Sequence, residues 1–329
     1  MIAQMNDRTL LRGGLPPSTE GNRIWLIRRV SFQGKGSSIG DDEVMDFPSE
    51  FKEAFVKRPK DANKYSVGTV AVVGGSEHYA HAPVIAGLGA RVAGAGLVQL
   101  VVPDTSRFAA GALVPEATFA ELVPTCVPPK ADVLVIGMGL GVSVSTEAIV
   151  SRLLSGAKGR FVLDADALTI LASWRGCRGG SDPIDGQELI LTPHEGEAAR
   201  LLGWKREEVS SDRLRAAKAI ADRYGATVVL KGAGTLVVSA DVVRVYENRT
   251  GNPFMALGGM GDLLSGIIGA RWAYLKGDPF LAAASSVWLH GLASDTVVAA
   301  AHDPSIVNTA QAVGSLRARL DTRTGDNPT

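Results

Sequence analysis

A glycine-rich turn followed by an acidic residue occupies residues 258–262, which read Gly-Gly-Met-Gly-Asp. Glycines allow the backbone to approach a ligand closely, and the apolar residues after Asp262 recur with the spacing of a helix. The turn therefore leads into a helix N-terminus, where unpaired N–H groups and the helix dipole favour a phosphate. Asp262 stands beside this point, so it either caps the helix or takes a proton from a hydroxyl that attacks the phosphate.

A second glycine-rich segment follows the strand predicted at residues 226–230. Residues 231–235 read Lys-Gly-Ala-Gly-Thr and open a predicted hairpin. This segment places a lysine ammonium, a threonine hydroxyl and a backbone that a ligand can approach closely at the end of a strand. Such a combination suits the phosphate and sugar of a nucleotide. A plain hairpin turn with a surface lysine is the alternative interpretation.

Two polar side chains begin the helix that follows Pro193. His194 and Glu197 have the i, i+3 spacing that places them in one helical turn, facing the strand ends. His194 is either a helix cap or a group that binds a ligand. Glu197 could hold a magnesium-bound water, although an acid in a first helical turn is also favoured by the dipole alone.

A further glycine run at residues 137–141 reads Gly-Met-Gly-Leu-Gly after an apolar strand. It lacks the last spacing of the dinucleotide-binding fingerprint, and the nearest candidate for a ribose-binding acid is Asp164. A Rossmann dehydrogenase is therefore the weaker interpretation. Asp164 and Asp166 precede an alanine-rich run that looks helical, so we expect at least one of them to cap a helix and do not interpret them as a catalytic pair.

Apolar runs of strand length alternate with helical patterns along most of the chain. This alternation predicts an α/β fold with a doubly wound, mostly parallel sheet, whose ligands bind at the carboxyl ends of the strands. Strands are predicted at 67–73, 97–102, 132–136, 160–163, 188–191 and 226–230, with a hairpin at 235–238 and 242–245. Helices are predicted at 83–93, 144–154, 211–224 and 280–300, and after residue 262.

The domain boundaries are predicted from changes in composition. Residues 1–56 mix glycine, proline, serine and charge, which indicates an N-terminal extension or arm. Residues 57–320 form the catalytic domain, and residues 321–329 form a flexible tail.

The overall composition excludes several classes of function. Lysine plus arginine and aspartate plus glutamate both number 34, so no net field favours nucleic acid or an anionic membrane. No run approaches the roughly 20 apolar residues of a membrane span, and no signal peptide is evident at the N-terminus. Cys126 and Cys177 stand far apart without zinc-ligand spacing. We therefore expect a cytoplasmic protein that binds neither nucleic acid nor membranes.

Taken in order, these motifs resemble those of the ADP/ATP-dependent NAD(P)H-hydrate dehydratases of the ribokinase-like superfamily. The likeness covers roughly residues 57–300, and it is the ordered series of strings that makes it specific. The matching strings lie at residues 73–76, 79–83, 93–98, 136–141, 163–168, 191–194, 231–235 and 258–262. The resemblance implies a ribokinase-like three-layer α/β/α fold.

The resemblance also implies a reaction. ADP or ATP would phosphorylate the C6 hydroxyl of hydrated NADH or NADPH, phosphate would leave, and the nicotinamide ring would be restored. Asp262 would be the base, and the turn's amides would stabilise the phosphoryl charge. Mg²⁺ would assist, with Glu197 holding it through water, and the enzyme would be a homo-oligomer, with a tetramer as the implied form.

The resemblance assigns contacts to individual residues. The hydrated nicotinamide nucleotide would meet Ala82, Gly139, Gly141, His194 and Asp262. The adenine nucleotide would meet Lys231, Gly232, Ala233, Gly234, Thr235, Gly259, Met260 and Gly261.

This chain departs from the family pattern at three positions. His81 stands where the family usually has glycine, while Leu257 and Met260 each replace a threonine, so a hydroxyl near the phosphate is lost. Two alternatives stay open. One is a small-molecule kinase of the same superfamily, of the hydroxymethylpyrimidine or hydroxyethylthiazole type, and the other is a nucleotide-binding module without activity.

Overall fold

A computed structural model describes residues 48–125, 129–156, 158–174, 183–240 and 244–323. Within these ranges, nine strands form one sheet: β1 (Thr69–Val73), β2 (Leu97–Val102), β3 (Thr118–Glu121), β4 (Val133–Ile136), β5 (Arg160–Leu163), β6 (Glu188–Leu191), β7 (Thr227–Leu230), β8 (Leu236–Val238) and β9 (Val245–Glu247). Cys126 and Cys177 lie outside the described residues.

Ten α-helices connect or flank these strands in the described part of the chain. They are α1 (Ala82–Val92), α2 (Arg107–Leu113), α3 (Val144–Leu154), α4 (Asp166–Trp174), α5 (Glu195–Leu202), α6 (Arg206–Ser211), α7 (Arg213–Tyr224), α8 (Met260–Leu275), α9 (Pro279–Ala299) and α10 (Ile306–Arg323). Short 3-10 helices occupy Ser49–Phe51, Asp104–Ser106 and Pro253–Met255.

The strand order in the sheet is β3-β2-β1-β4-β5-β6-β7-β8-β9. Neighbours from β3 through β7 are parallel, whereas β8 runs antiparallel to β7 and β9 antiparallel to β8. The central strands are buried on both faces, which explains their continuous apolar sequences. The prediction of a mostly parallel, doubly wound sheet is confirmed.

Helices cover both faces of the sheet. One core cluster joins alternate strand residues such as Val70 and Val72 to α1, α8, α9 and α10. The other joins Ala71 and Val73 to helices α3 through α7. Because neighbouring strand residues point to opposite faces, the two clusters lie on opposite sides of one sheet. The three-layer α/β/α prediction is therefore confirmed.

Several elements differ from the predicted ones. The second strand of the hairpin was predicted at 242–245 but lies at Val245–Glu247, and residues 241–243 lie outside the described residues. The sequence patterns did not predict β3, α2, α6 or α10. Of the predicted extension 1–56, only its last residues are described, and Phe51 and Phe55 are buried against Trp288. The domain limits themselves stay a prediction.

Helices α1 and α8 cross with their backbones in contact. A Cβ atom placed on Gly266 would lie 1.8 Å from the carbonyl oxygen of Ala86, and one placed on Gly89 would lie 2.2 Å from that of Leu263. No side chain fits at these distances, so glycine at both positions is a requirement of the crossing. The contact ties the start of α8, which carries Asp262, to the helix that begins at Ala82.

The described helices include none that is both long enough and apolar enough to cross a bilayer.

Candidate active site

The candidate site lies where the parallel strands of the sheet end. Asp164 directly follows β5, Thr192 follows β6 and Lys231 follows β7. Because these strands are parallel neighbours, their carboxyl ends meet at one edge of the sheet, where open α/β sheets bind ligands. The first turn of α8 faces the same edge, since Ser265 of that helix donates a hydrogen bond to Asp164.

A buried carboxylate and a lysine form the centre of the site. The Asp164 side chain is only 1% exposed, and its Oδ1 lies 2.6 Å from Lys231 Nζ. Its Oδ2 accepts a 2.7 Å hydrogen bond from Ser265 Oγ. A buried carboxylate is stable when it is paired and hydrogen-bonded in this way. Asp164 therefore fixes the lysine at the strand end. This role was missed in the sequence, where Asp164 was considered a helix cap or a ribose ligand.

His194 and Glu197 form a reciprocal cap at the start of α5. His194 Nδ1 accepts from the N–H groups of Gly196 and Glu197, and Glu197 Oε2 accepts from the His194 N–H at 2.8 Å. The cap interpretation of His194 is thus confirmed. Since Nδ1 is an acceptor, the neutral ring carries its proton on Nε2, which lies 3.4 Å from Glu197 Oε1. The imidazole is more than half exposed.

Asp262 is half-buried in the first turn of α8. Burial, and then the negative charge of Asp164, raise the pKa of Asp262 to about 7, although Lys231 opposes the shift. The N-cap of α8 is Gly259 and no side chain caps this helix, so Asp262 does not act as the N-cap. A carboxylate with a pKa near neutrality is suited to accept and release a proton in a reaction.

Glu197 and Lys231 also have pKa values that are shifted by their surroundings. Burial raises the pKa of Glu197, and this effect outweighs the attraction of Lys231, whose Nζ lies 4.0 Å from Glu197 Oε2. Burial alone would lower the pKa of Lys231, but the carboxylates of Asp164 and Glu197 raise it on balance. The lysine is therefore a fixed positive charge between three carboxyl groups.

The glycine-rich turn brings the N-terminus of α8 close to this lysine. Gly259 has a φ of +97°, a left-handed conformation that favours glycine. A Cβ atom on Gly261 would lie only 3.4 Å from Lys231 Nζ. An ammonium group and the free amides of a helix N-terminus thus meet at one point, and both attract a phosphate.

A cavity of about 590 Å³ opens beside this point. Its walls include residues 231–235, residues 248–253 and the start of α8 with Met260 and Gly261. The far wall is provided by Val287 and His290 of α9. Its volume is within the usual range for small-molecule sites. Met260 is buried in the core cluster, so its side chain adds apolar surface where the family pattern has a hydroxyl.

Arg213, at the start of α7, holds the loop that begins at Lys231. Its Nη1 donates to the carbonyl oxygens of Ala233 and Gly234, and its Nη2 donates to those of Leu230 and Lys231, at 2.7 to 3.1 Å. The Arg213 Nε lies 3.4 Å from Glu195 Oε1, which orients the guanidinium. One planar side chain therefore fixes the backbone of the loop. Sequence analysis missed this residue because its partners are backbone atoms.

The remaining predicted residues lie on the β4 side of the site. A Cβ atom on Gly139 would lie 3.3 Å from the Cβ of Ala82, so these two residues are adjacent. The Gly141 N–H donates to Asp166 Oδ2 at 2.8 Å, and Asp166 in turn contributes to the raised pKa of Asp262. The structure thus gathers the residues predicted to bind the two nucleotides around the same strand ends.

A model of the family described as NAD(P)H-hydrate dehydratase matches residues 70–314. The chain belongs to this family. The match covers most of the chain, including every site residue described above, so the resemblance deduced from the motifs is confirmed.

Individual members of the NAD(P)H-hydrate dehydratase family agree with this assignment. The ADP-dependent (S)-NAD(P)H-hydrate dehydratase of Neisseria meningitidis serogroup B is 40% identical over 265 residues, which are 78% of this chain and 86% of the relative. The bifunctional NAD(P)H-hydrate repair enzyme Nnr of Escherichia coli K12 is 36% identical over 264 residues. The chain spans 49% of the Escherichia coli enzyme, and about half the length of the other bifunctional relatives.

A solved structure of the dehydratase family shares this fold. The ADP/ATP-dependent NAD(P)H-hydrate dehydratase of Bacillus subtilis, co-crystallised with ATP and Mg²⁺, superposes with a TM-score of 0.72. The two chains are 26% identical, and the superposition covers 84% of this chain and 100% of the Bacillus protein. The ribokinase-like fold prediction is confirmed by this comparison.

We expect the Arg213→Lys variant of this NAD(P)H-hydrate dehydratase family member to raise the KM for the nucleotide about tenfold, with a smaller change in kcat. A lysine cannot reproduce four hydrogen bonds from one planar fork, and each such bond contributes on the order of 1 kcal/mol. Steady-state kinetics with varied nucleotide would measure this. Arg215→Lys is the matched control, because Arg215 lies on the same helix but packs over Trp204. An equal effect in both variants would contradict the assigned role of Arg213.

Proposed function

We propose that the protein removes water from hydrated NADH or NADPH and so restores the reduced dinucleotide, with ADP or ATP as phosphoryl donor. The observation that carries this proposal is the position of Asp262. Asp262, whose pKa is raised to about 7, directly follows Gly261, and Gly261 and Lys231 both line the 590 Å³ cavity. The family match and the name of the Neisseria relative support the substrate assignment.

Each residue has a defined part in the proposed reaction. The amides of Gly259, Met260 and Gly261 and the Lys231 ammonium stabilise the charge of the phosphoryl group that is transferred. Asp262 takes the proton from the C6 hydroxyl of the hydrate as that oxygen attacks the terminal phosphorus. The nucleotide leaves with one phosphate fewer. The lone pair of the ring nitrogen then expels phosphate as the C6–O bond breaks, and C5 loses a proton, so that the electrons of the C5–H bond form the C5–C6 double bond of the dihydronicotinamide.

The two nucleotides occupy different sides of Asp262 in this proposal. The adenine nucleotide lies in the cavity beside the loop of Lys231, Gly232, Ala233, Gly234 and Thr235. The hydrated nicotinamide nucleotide lies against Ala82, Gly139 and Gly141, and a Cβ atom on Gly141 would meet nothing within 4 Å, so space is open at that glycine. His194, whose ring is exposed, offers its Nε2–H to this nucleotide.

The side chains at the site could hold Mg²⁺ only if the nucleotide supplied most of the ligands of the ion. The described residues contain no group of three acidic, histidine or cysteine side chains that could hold a metal ion by themselves. Magnesium in nucleotide enzymes keeps several waters and binds through one or two carboxylates plus phosphates. Glu197 is the residue we propose to contact it, through water, because its carboxylate lies in the first turn of α5, directly after the end of β6. The ion would neutralise phosphate charge.

Product analysis tests the proposed reaction. Purified protein is offered hydrated NADH or NADPH with ADP or ATP and Mg²⁺, and we expect the absorbance of the reduced nicotinamide to return as phosphate is released. A stable phosphorylated product without that absorbance would instead establish a small-molecule kinase. Nucleotide binding without any turnover would establish an inactive binding module. Unchanged hydrate with no nucleotide binding would contradict all three.

We expect kcat/KM for the hydrate to rise with pH and to level off above about pH 7. Asp262 accepts a proton only when ionised, and burial and Asp164 raise the pKa of Asp262 to about 7, so the active fraction increases through that value. A pH profile of kcat/KM from roughly pH 5 to 9 would measure it. The His194→Gln variant should keep the same midpoint, which excludes the imidazole as the titrating group. A profile that is flat across this range would contradict Asp262 as the base.

The predicted cytoplasmic location and homo-oligomeric, tetrameric assembly remain predictions. Sedimentation of the purified protein would measure its subunit number.

A further inference from the structure

A second cavity, of about 300 Å³, lies at the opposite edge of the sheet from the active site. It is bounded by the C-terminal end of α1, the first residues of β2 and one face of α10. The active site lies at the carboxyl ends of the strands, whereas Leu97 and Val98 line this cavity at the amino end of β2. Three arginines, Arg58, Arg91 and Arg317, contribute to its walls.

The positive charge of this cavity exceeds its negative charge. Arg91 is paired with Glu116, with Nη2 lying 2.7 Å from Oε1, and Glu116 is the acidic residue in the cavity wall. Arg58 and Arg317 lie so close together that a Cβ atom on Gly94 would meet both, at 2.4 and 3.2 Å. Burial and then the charge of Arg317 lower the pKa of Arg58, so the two guanidinium groups repel each other.

A second carboxylate near this cavity, that of Asp321, is shared between two arginines. Asp321 lies 2.8 Å from Arg317 Nη1 and 3.6 Å from Nη1 of the fully buried Arg271. One carboxylate therefore faces two arginines, and its field reaches Arg58 as well. The cavity wall therefore carries three arginines and one glutamate, and Asp321, which is outside the wall, is shared with Arg271, so the wall keeps a net positive charge among the described residues.

Capping of α1 explains only part of this arrangement. Arg317 Nε donates to the Val92 carbonyl and Arg58 Nη2 donates to the Gly94 carbonyl, and positive charge is favourable at a helix C-terminus. Each guanidinium has five N–H donors on three nitrogens. Arg58 uses only Nη2 in its cap, whereas Arg317 uses Nε in its cap and Nη1 toward Asp321, which leaves its Nη2. The buried Nε of Arg58 has no hydrogen-bond partner in the described part of the chain. The arginines thus retain donors for a further acceptor.

We propose that this cavity is a binding site for a compact phosphate-bearing anion, separate from the active site. Planar guanidinium forks bind phosphate oxygens bidentately, and several such forks around one cavity are the usual means of binding more than one phosphate charge. A volume of about 300 Å³ is at the lower end for ligand sites. The ligand class is therefore a pyrophosphate or a small phosphorylated metabolite.

Calorimetry with pyrophosphate tests this site while the active site is blocked. The full chain is first saturated with a non-hydrolysable ATP analogue and Mg²⁺, and pyrophosphate is then titrated at constant ionic strength, with sodium chloride as the matched control salt. We expect one further equivalent to bind. The double variant Arg58→Gln, Arg91→Gln should weaken this binding at least about tenfold, because charged hydrogen bonds are lost. Arg319→Gln, an exposed position on α10, should leave the binding unchanged.

Controls separate loss of the site from loss of the fold. The double variant should bind the ATP analogue as tightly as the unmodified protein, because Arg58 and Arg91 lie far from the active-site cavity. Pyrophosphate should raise the Tm of the unmodified protein but not that of the double variant. The proposal is overturned if no further equivalent binds, or if the double variant and Arg319→Gln bind pyrophosphate equally.

Discussion

Replacement of Asp262 by Asn is expected to lower the turnover of hydrated NADH at least ~100-fold, as general bases typically contribute. The amide is nearly the same size as the carboxyl group, so the glycine-rich turn and the nucleotide cavity should stay intact. Nucleotide affinity, measured by calorimetry, should change little. Steady-state rates with ADP or ATP would measure the loss.

The stability of the same variant separates a catalytic role from a structural one. The folded state raises the pKa of Asp262, so the folded protein retains a proton that the unfolded chain releases between about pH 4 and 7. Ionisation above the unfolded pKa therefore favours unfolding, and this cost is complete above about pH 7. Asp262→Asn should thus be at least as stable as the unmodified protein at pH 8. A variant that unfolds more easily at pH 8 and retains its activity would contradict the role as base.

Replacement of Lys231 by Met is expected to destabilise the fold by about 3–5 kcal/mol, since it leaves the carboxylate of Asp164 buried without its partner. Asp164 is 1% exposed and lies 2.6 Å from the ammonium. Chemical denaturation would measure the free energy of unfolding. Turnover should fall as well, because the ammonium that faces Gly261 and the transferred phosphoryl group is lost.

A second substitution separates these two effects. The double variant Asp164→Asn, Lys231→Met removes the closest ion pair as a unit, and the amide can still accept the hydrogen bond from Ser265. Only the longer contact of the ammonium with Glu197, at 4.0 Å, is then lost without replacement. Stability should return to within about 1–2 kcal/mol of the unmodified protein, whereas turnover should stay low. If both recover together, Lys231 serves only the fold. If stability does not recover, the pairing with Asp164 is not the source of the loss.

The sequence predicted the parts of the fold in which each segment carries its own pattern. Strands such as β1 and β4 are buried on both faces and therefore read as continuous apolar runs. Strand β3 was not predicted because it lies at the edge of the sheet, is mostly exposed, and depends on pairing with β2. Helix α10 had a usable signal, since its buried apolar residues Ala310, Val313, Leu316 and Leu320 recur at helical spacing.

The candidate site was predicted wherever glycines or a charged residue follow a strand. The motifs containing Lys231 and His194 were found in this way, and the one containing Asp262 was found because its glycines precede a helix; the structure places all three at one edge of the sheet. The pairing of Lys231 with Asp164 joins residues 67 positions apart, and it follows from the adjacency of β5, β6 and β7 rather than from local spacing. Arg213 was not predicted for a different reason: its partners are backbone carbonyl oxygens, which every residue has and which no sequence pattern distinguishes.

The glycine-to-backbone contact between α1 and α8 joins the two helices that carry Ala82 and Asp262. Gly89 and Gly266 leave no gap between these helices, so a displacement of Ala82 relative to Asp262 would have to disrupt this close packing. The distance between Ala82, on the proposed hydrate side, and Asp262, on the proposed phosphate side, is thus fixed before either ligand binds. The two ligands can therefore bind without a rearrangement of α1 against α8, and this preorganisation lowers the entropic barrier to the proposed reaction.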